Sequence, residues 1–395
     1  MTLVSLPRST LLILATWLAG CEPITTSDPG PPGSTTAISA GGAQACALQA
    51  NGSLRCWGKN GLVGDHSKLT RLTAVDVTGF SADVVSAVTG DHHSCALTGD
   101  GRVYCWGRGA DRGQLGPTGD AGSDPLLDAY WPQEIQFRVS GGARFIAAGA
   151  QHTCVIQPLG EVLCWGDNSA WQVSSDAGVT SPAPVLVLEE SGDNLRGAVA
   201  VAAGGAHTCI VSGVDARCWG SNDHGQLGSG ATEPLAPTPV TVPLDAGVLA
   251  IAAGQSHTCA SVGNGSVLCW GANGSGQLGD NLGFDSATPV SPGLPSGSQV
   301  VALAAGGDDT CAVTDDRGLW CWGDNTFGQI GDGSTLQRGG PVRVHDDIRN
   351  VSVGHYFACA VTGAGKAYCW GRNSDGQLGD GTTEERHRPT EVQGL

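Results

Sequence analysis

The sequence predicts an all-β fold: a seven-bladed β-propeller of four-stranded blades, with one cross-strand disulfide in each blade. Three observations carry this prediction. A Cys-Trp-Gly element occurs seven times, at Cys56-Trp57, Cys105-Trp106, Cys164-Trp165, Cys218-Trp219, Cys269-Trp270, Cys321-Trp322 and Cys369-Trp370. Each has an earlier partner, Cys46, Cys95, Cys154, Cys209, Cys259, Cys311 or Cys359, and these recur every 48 to 59 residues, a period of propeller blades. Glycine makes up 62 of 395 residues and charged residues only 14%, a composition of many turns and few amphipathic helices.

The chain begins with a different kind of segment. Arg8 precedes an apolar run from Leu11 to Leu18, which is shorter than the roughly 20 residues that span a bilayer. A positive start, a short apolar stretch and then small residues is the layout of a secretory signal. The run ends Leu18-Ala19-Gly20-Cys21, which resembles the lipobox of bacterial lipoproteins. That resemblance implies cleavage after residue 20 and lipidation of the Cys21 thiol, with two acyl chains holding the protein on a membrane. A plain cleaved signal with an incidental Cys is the alternative. Residues 21–37, rich in Pro, Gly, Ser and Thr, have no apolar periodicity and are expected to form a flexible tether. The propeller is expected over 38–395.

Within each repeat the strands follow from local pattern. In the second, Ser94-Cys95-Ala96-Leu97 and Val103-Tyr104-Cys105-Trp106 flank a Gly/Asp turn, a hairpin signal. An Ala/Val-rich segment such as Val199–Ala203 precedes the hairpin and reads as a strand buried on both faces. A Pro-x-x-Val segment, as at Pro239 and Pro389, follows it and suits an edge strand. Ala37–Ala40 and Pro389–Val392 are the candidates for closing the ring, with their pairing left open.

Gly-Gln-Leu-Gly occurs at 113–116, 225–228, 276–279 and 376–379, with Gly328-Gln329-Ile330-Gly331 as a near copy and Trp-Gly-x-Asn upstream, as at Trp370-Gly371-Arg372-Asn373. These motifs resemble the repeat of the regulator of chromosome condensation family, over roughly residues 38 to 395. The resemblance implies the seven-bladed propeller. It does not imply one activity, because relatives include a chromatin-bound guanine-nucleotide exchange factor, ubiquitin-ligase modules and a secreted β-lactamase inhibitor.

Fifteen cysteines resolve into Cys21 and seven pairs. A ten-residue spacing centred on Asp100 sets Cys95 opposite Cys105, within disulfide reach. Cys209 and Cys218 are nine apart, and a two-residue turn at Gly213-Val214 restores their opposition. Buried thiol pairs and metal ligation are the alternatives, although zinc knuckles space their cysteines more closely.

The net charge of −17 and only 20 scattered Lys and Arg disfavour a nucleic-acid partner, since phosphate binding needs clustered Lys and Arg, so no nucleic acid is expected. His93, His152, His207 and His257 recur two residues before a Cys, but Gln44, Asp309 and Phe357 take that position elsewhere. The histidines therefore read as blade packing satisfied by backbone groups, and no metal or cofactor is expected. No nucleophile–base motif is present, so the chain is read as a non-enzyme. Candidate binding residues lie where repeats depart from the pattern: Tyr130 and Trp131, expected as aromatics in a polar loop within a long insertion from Pro117 to Gln136, and Trp171 where the others have Gly-Gln-Leu. The expected function is a monomeric, lipid-anchored propeller in the bacterial cell envelope, periplasmic or at the cell surface, binding a protein or envelope component. An exchange-factor-like regulator and a glycan-active enzyme are the alternatives.

Overall fold

A computed structural model describes residues 33–109, 112–117, 127–136, 141–175 and 178–395. The signal segment and Cys21 lie outside these residues. Seven four-stranded antiparallel sheets form the blades, over 35–77, 84–134, 145–186, 198–241, 248–290, 300–345 and 348–391. The first strand begins at Thr35, within the stretch expected as tether.

In every blade the four strands pair in chain order. The Ala/Val-rich strand is innermost, as in Ala198–Ala203. Its neighbours in the ring are the innermost strands of the adjacent blades. The two closure candidates do not pair with each other. Residues 35–40 belong to the first blade's sheet and residues 386–391 to the last blade's. The ring closes by packing of blade 7 on blade 1, without a shared strand.

Each Cys pair sits directly opposite in the register of the second and third strands, and all seven form disulfides with Cα atoms 4.1 Å apart. Gly213, at φ 64°, makes the tight turn that lets Cys209 meet Cys218 across one fewer residue. Alternation along the third strand then sends Trp and Cys to opposite faces of the blade. The result is a repeated interface in which the Trp of one blade packs against the disulfide of the preceding one. Trp165 lies with Cys95 and Cys105, Trp219 with Cys154 and Cys164, and Trp270 with Cys209 and Cys218. Polarisable sulfur beside an aromatic ring is a favourable contact.

The Gly-Gln-Leu-Gly segment wedges into the same interface. Trp270 Nε1 donates to the Gln226 carbonyl at 2.9 Å, and Gly228 lies flat against the indole. A Cβ on Gly228 would stand 2.5 Å from Trp270 Nε1, at a φ of +69°. Gly228→Ala is therefore expected to destabilise by about 2–4 kcal/mol in denaturant titrations, from left-handed strain plus a displaced Trp hydrogen bond. Gly274→Ala, where a Cβ meets nothing within 4 Å, is the matched control and should change stability little.

The recurring histidines also join blades, but not through backbone groups as expected. His93, His152, His207 and His257 each bond through Nε2, at 2.9 Å, to a threonine hydroxyl of the next blade: Thr153, Thr208, Thr258 and Thr310. Each hydroxyl donates onward to the carbonyl that also accepts the Trp indole, as Thr208 does to Gln172 at 2.8 Å. The hydroxyl proton is thus committed, so the His must donate, which assigns the neutral Nε2–H tautomer. The pairing explains two of the three exceptions. Asp309 and Phe357 replace His where the following blades carry Ala358 and Ala45 in place of Thr. Complete burial, aided by the charge of His92, pushes His93 down to about 3. Burial, then the neighbouring His207 and His93, pushes His152 to about 3, and burial alone takes His207 to about 4.

Candidate functional site

The antiparallel order places two sets of connections at one end of the blades. The turns after the innermost strands lie there, and so do the long connections from Cys-Trp-Gly to the outer strands. The long connections are rigidly built. Asn325 accepts from the Ile330 amide at 3.0 Å through Oδ1 and donates through Nδ2 to the Leu336 carbonyl at 2.9 Å. Gln329 Oε1 accepts the Phe327 amide, and Arg338 pairs with Asp332. Blade 7 repeats the design with Asn373, Gln377 and an Arg386–Asp380 pair at 2.7 Å. Burial opposes ionisation of Asp380, but the Thr382 and Arg386 hydrogen bonds hold its carboxyl below the ordinary value. Such preorganised loops on a rigid frame suit recognition.

This end of the molecule also carries large exposed apolar side chains. Leu69, Phe284 and Leu336 occupy equivalent positions, four residues after Asp65, Asp280 and Asp332, and Phe284 is 77% exposed. Trp131, Trp171 and Leu127 add to them from blades 2 and 3. Blade 7 interrupts the series with Glu384 and Glu385. Exposed apolar groups collected on one face mark an interaction surface.

The three expected binding residues all fall on this end. Tyr130 and Trp131 are not in a loop, however. Ala129–Glu134 is the outer strand of blade 2, and its edge position tolerates Pro132. The insertion is correspondingly shorter, and residues 118–126 of it lie outside the described residues. Trp131, 45% exposed, is stacked on His66 of blade 1 with ring centroids 5.7 Å apart. Lys68 Nζ stands 4.4 Å from the Tyr130 ring centroid. Both His66 and Lys68 escaped the sequence reading, because their partners come from the next repeat.

Trp171 is the sharpest departure. It replaces the glycine that stands at φ 71° to 77° in blades 2, 4, 5, 6 and 7, and it keeps that backbone, at φ 62°. The loop hydrogen bonds are also kept, with Trp171 N to Asn168 O at 3.0 Å and Ala170 N to Gln172 Oε1 at 2.9 Å. A bulky residue in the left-handed region costs about 1–2 kcal/mol. Its side chain is 41% exposed, so a large part of the indole stays in contact with solvent. Strain held at an exposed aromatic points to a role outside folding.

Comparison with known proteins agrees with this architecture. Models of the "Regulator of chromosome condensation (RCC1) repeat" match residues 100–156, 218–261, 264–313, 317–361 and 364–395, and a second such model matches five overlapping segments between 84 and 377. The ultraviolet-B receptor UVR8 of Arabidopsis thaliana is 31% identical over 72% of this chain and 63% of its own length. The human probable E3 ubiquitin-protein ligase HERC6 is 28% identical over 76% of this chain and 29% of its own length, so the chain spans less than two thirds of these relatives. The structure of Prp20p from Saccharomyces cerevisiae, described with its binding to Gsp1p and histones, superposes with a TM-score of 0.74. That superposition covers 86% of each chain at 22% identity, which is a likeness of fold.

Proposed function

The chain belongs to the regulator of chromosome condensation repeat family, and from that premise we propose that it is a non-catalytic scaffold that binds a protein partner through its long-connection face. The observation that carries this reading is Trp171, an exposed aromatic kept in a backbone conformation that the other blades reserve for glycine. Trp131, supported by His66, and the exposed Leu69, Phe284 and Leu336 extend the same surface. Aromatic anchors surrounded by smaller apolar groups are the usual energetic centre of a protein interface.

The reading includes attachment to a membrane through Cys21. The described chain enters on the opposite end of the blades. Thr35 N bonds to Gly365 O and Ala50 N to Ser34 O, both in hairpin turns. A lipid at Cys21 would therefore tether the propeller by its hairpin end. Cys21→Ser is expected to release the protein from the membrane fraction.

The test separates folding from binding. Trp171→Gly should change stability by no more than about 2 kcal/mol, because relieved strain is set against the lost contacts of the part-buried indole and the freedom of glycine in the unfolded chain. Cross-linked partner recovered from cell envelopes should fall at least tenfold with Trp171→Gly and Trp131→Ala. Leu159→Ser and Val214→Ser, exposed at the hairpin end, should recover it in full. Equal recovery by all four variants would refute the reading.

A further inference from the structure

The junction between blades 6 and 7 departs from the others in several independent ways. Around the inner end of the ring, a turn amide of one blade bonds to the next blade's carbonyl, as in Gly42 to Gly90, Asp91 to Ala150, Gln255 to Gly307 and His355 to Gly41. Among the described residues no such bond joins blade 6 to blade 7. The His–Thr link is absent too, as it is at the 7–1 and 1–2 junctions, and here Asp309 and Ala358 stand in its place. What occupies the junction instead is a cluster on the long-connection face. Phe327 of blade 6 packs edge-on to Tyr356 of blade 7, with centroids 5.2 Å apart, and His355 stacks on Tyr356 at 4.3 Å. The Arg372 guanidinium lies 5.4 Å from the Phe327 centroid and 5.7 Å from that of Tyr356.

Arg372 is unusual in its charge environment. Most of this acidic chain's basic side chains are ion-paired, as Arg55, Arg71, Arg217 and Arg386 are. Arg372 has no acidic partner among the described residues. Its Nε donates to Ser374 Oγ at 3.0 Å, and its terminal nitrogens hold no acceptor there. The nearby acids are already engaged: Asp375 faces Lys59 at 3.8 Å, Asp324 accepts from Gln329 and Thr326, and Asp91 faces His355 at 3.8 Å. A half-buried guanidinium braced by two rings and a hydroxyl, with its outer fork unfilled, has lost its rotamer freedom in advance. That fork matches a carboxylate in planar, bidentate geometry.

We propose that the blade 6–7 junction is an anchoring site for a peptide carboxylate, taken by the Arg372 fork beside the Phe327 and Tyr356 rings. The inference rests on the long-connection face being the binding face, and it adds the chemical class of the partner's anchor. An array of 12-residue peptides tests it, with matched members carrying a central Asp or Asn and a free or amidated C-terminus. The wild type should retain one carboxylate class at least tenfold better than its neutral counterpart. Which pair discriminates identifies a side chain or a chain end as the source. Arg372→Gln should abolish the preference, and Arg372→Lys, which keeps charge but not the fork, should restore only part of it. Arg388→Gln, the same charge change on the outer strand of blade 7, should leave it intact. Thermal melts establish that each variant is folded. Peptides retained without discrimination would overturn the carboxylate site while leaving the partner-recovery result standing. Absence of any retention by the wild type, or a preference that survives Arg372→Gln, overturns it as well.

Discussion

Reduction of the seven disulfides is expected to leave a chain that no longer holds the propeller at 37 °C. Each bridge closes a loop of nine or ten residues. On the loop-entropy account that is worth about 2.5 kcal/mol, so seven independent bridges would sum to about 17 kcal/mol. Whole-domain stabilities are typically about 5–15 kcal/mol, so the summed effect would exceed the margin. The location of the bridges strengthens the expectation. Every half-cystine is essentially inaccessible, and the Trp of the next blade packs against the pair. Reduction in the native state should therefore be slow and should await the opening of a blade interface. Guanidinium titrations with and without reductant, followed by Trp fluorescence, measure the effect. A reduced protein with a cooperative transition less than about 5 kcal/mol weaker would show that the hydrophobic interfaces suffice alone. Paired Cys209→Ser and Cys218→Ser substitutions isolate one bridge and should lower stability by about 2–4 kcal/mol, with the fluorescence of Trp270 altered.

The blade framework was legible because its devices recur inside each repeat. Two cysteines ten residues apart around a turn fix the hairpin register, and the fourth repeat shows this by compensating its lost residue with Gly213. The bonds between blades were less legible, because donor and acceptor belong to different repeats. His152 and Thr208 are 56 residues apart, and their pairing shows in sequence only as His in one repeat matched by Thr in the next. Tyr130 and Trp131 were read as loop because an outer strand, solvated on one side and containing Pro132, shows no clean alternation. Trp171 was visible as a departure, but its strain was not, since only the backbone shows that it kept the glycine's conformation. Arg372 carried no signal at all. It sits in the Trp-Gly-x-Asn motif at a variable position, beside Phe327 and Tyr356 and without an ion-pair partner among the described residues.

Acidification is expected to unfold the protein well above the pH at which its carboxylates protonate. The four linking histidines are neutral donors inside the blade interfaces, at about 3 for His93, His152 and His257 and about 4 for His207. In the unfolded chain each returns to near 6.5. Between those values the unfolded state binds protons that the folded state refuses, so stability falls as pH falls. Above pH 6.5 the histidines contribute no slope. Below it, each removes up to about 1.4 kcal/mol per pH unit, and four together about 5. Two groups work the other way, Asp308 and Asp309, both raised chiefly by burial. Burial, with the charges of Asp324 and Asp308, raises the Asp309 carboxyl well above its ordinary value, so the folded state takes up a proton there before the unfolded state does. These two carboxyls thus offset part of the histidine slope. Only below the ordinary carboxylate range do carboxyls held down by hydrogen bonds, such as Asp316 at about 2, begin to protonate and add to the loss. Urea titrations at half-unit steps from pH 7.5 to 4 measure the slope directly. His207→Gln introduces the residue that already stands at the equivalent position in blade 1, where Gln44 donates to the Gly90 carbonyl at 2.9 Å. It should reduce the slope by close to one proton and shift the acid midpoint downward. A pH-independent stability across that range would mean that the histidines protonate in place, and the His–Thr link could not then be a neutral one.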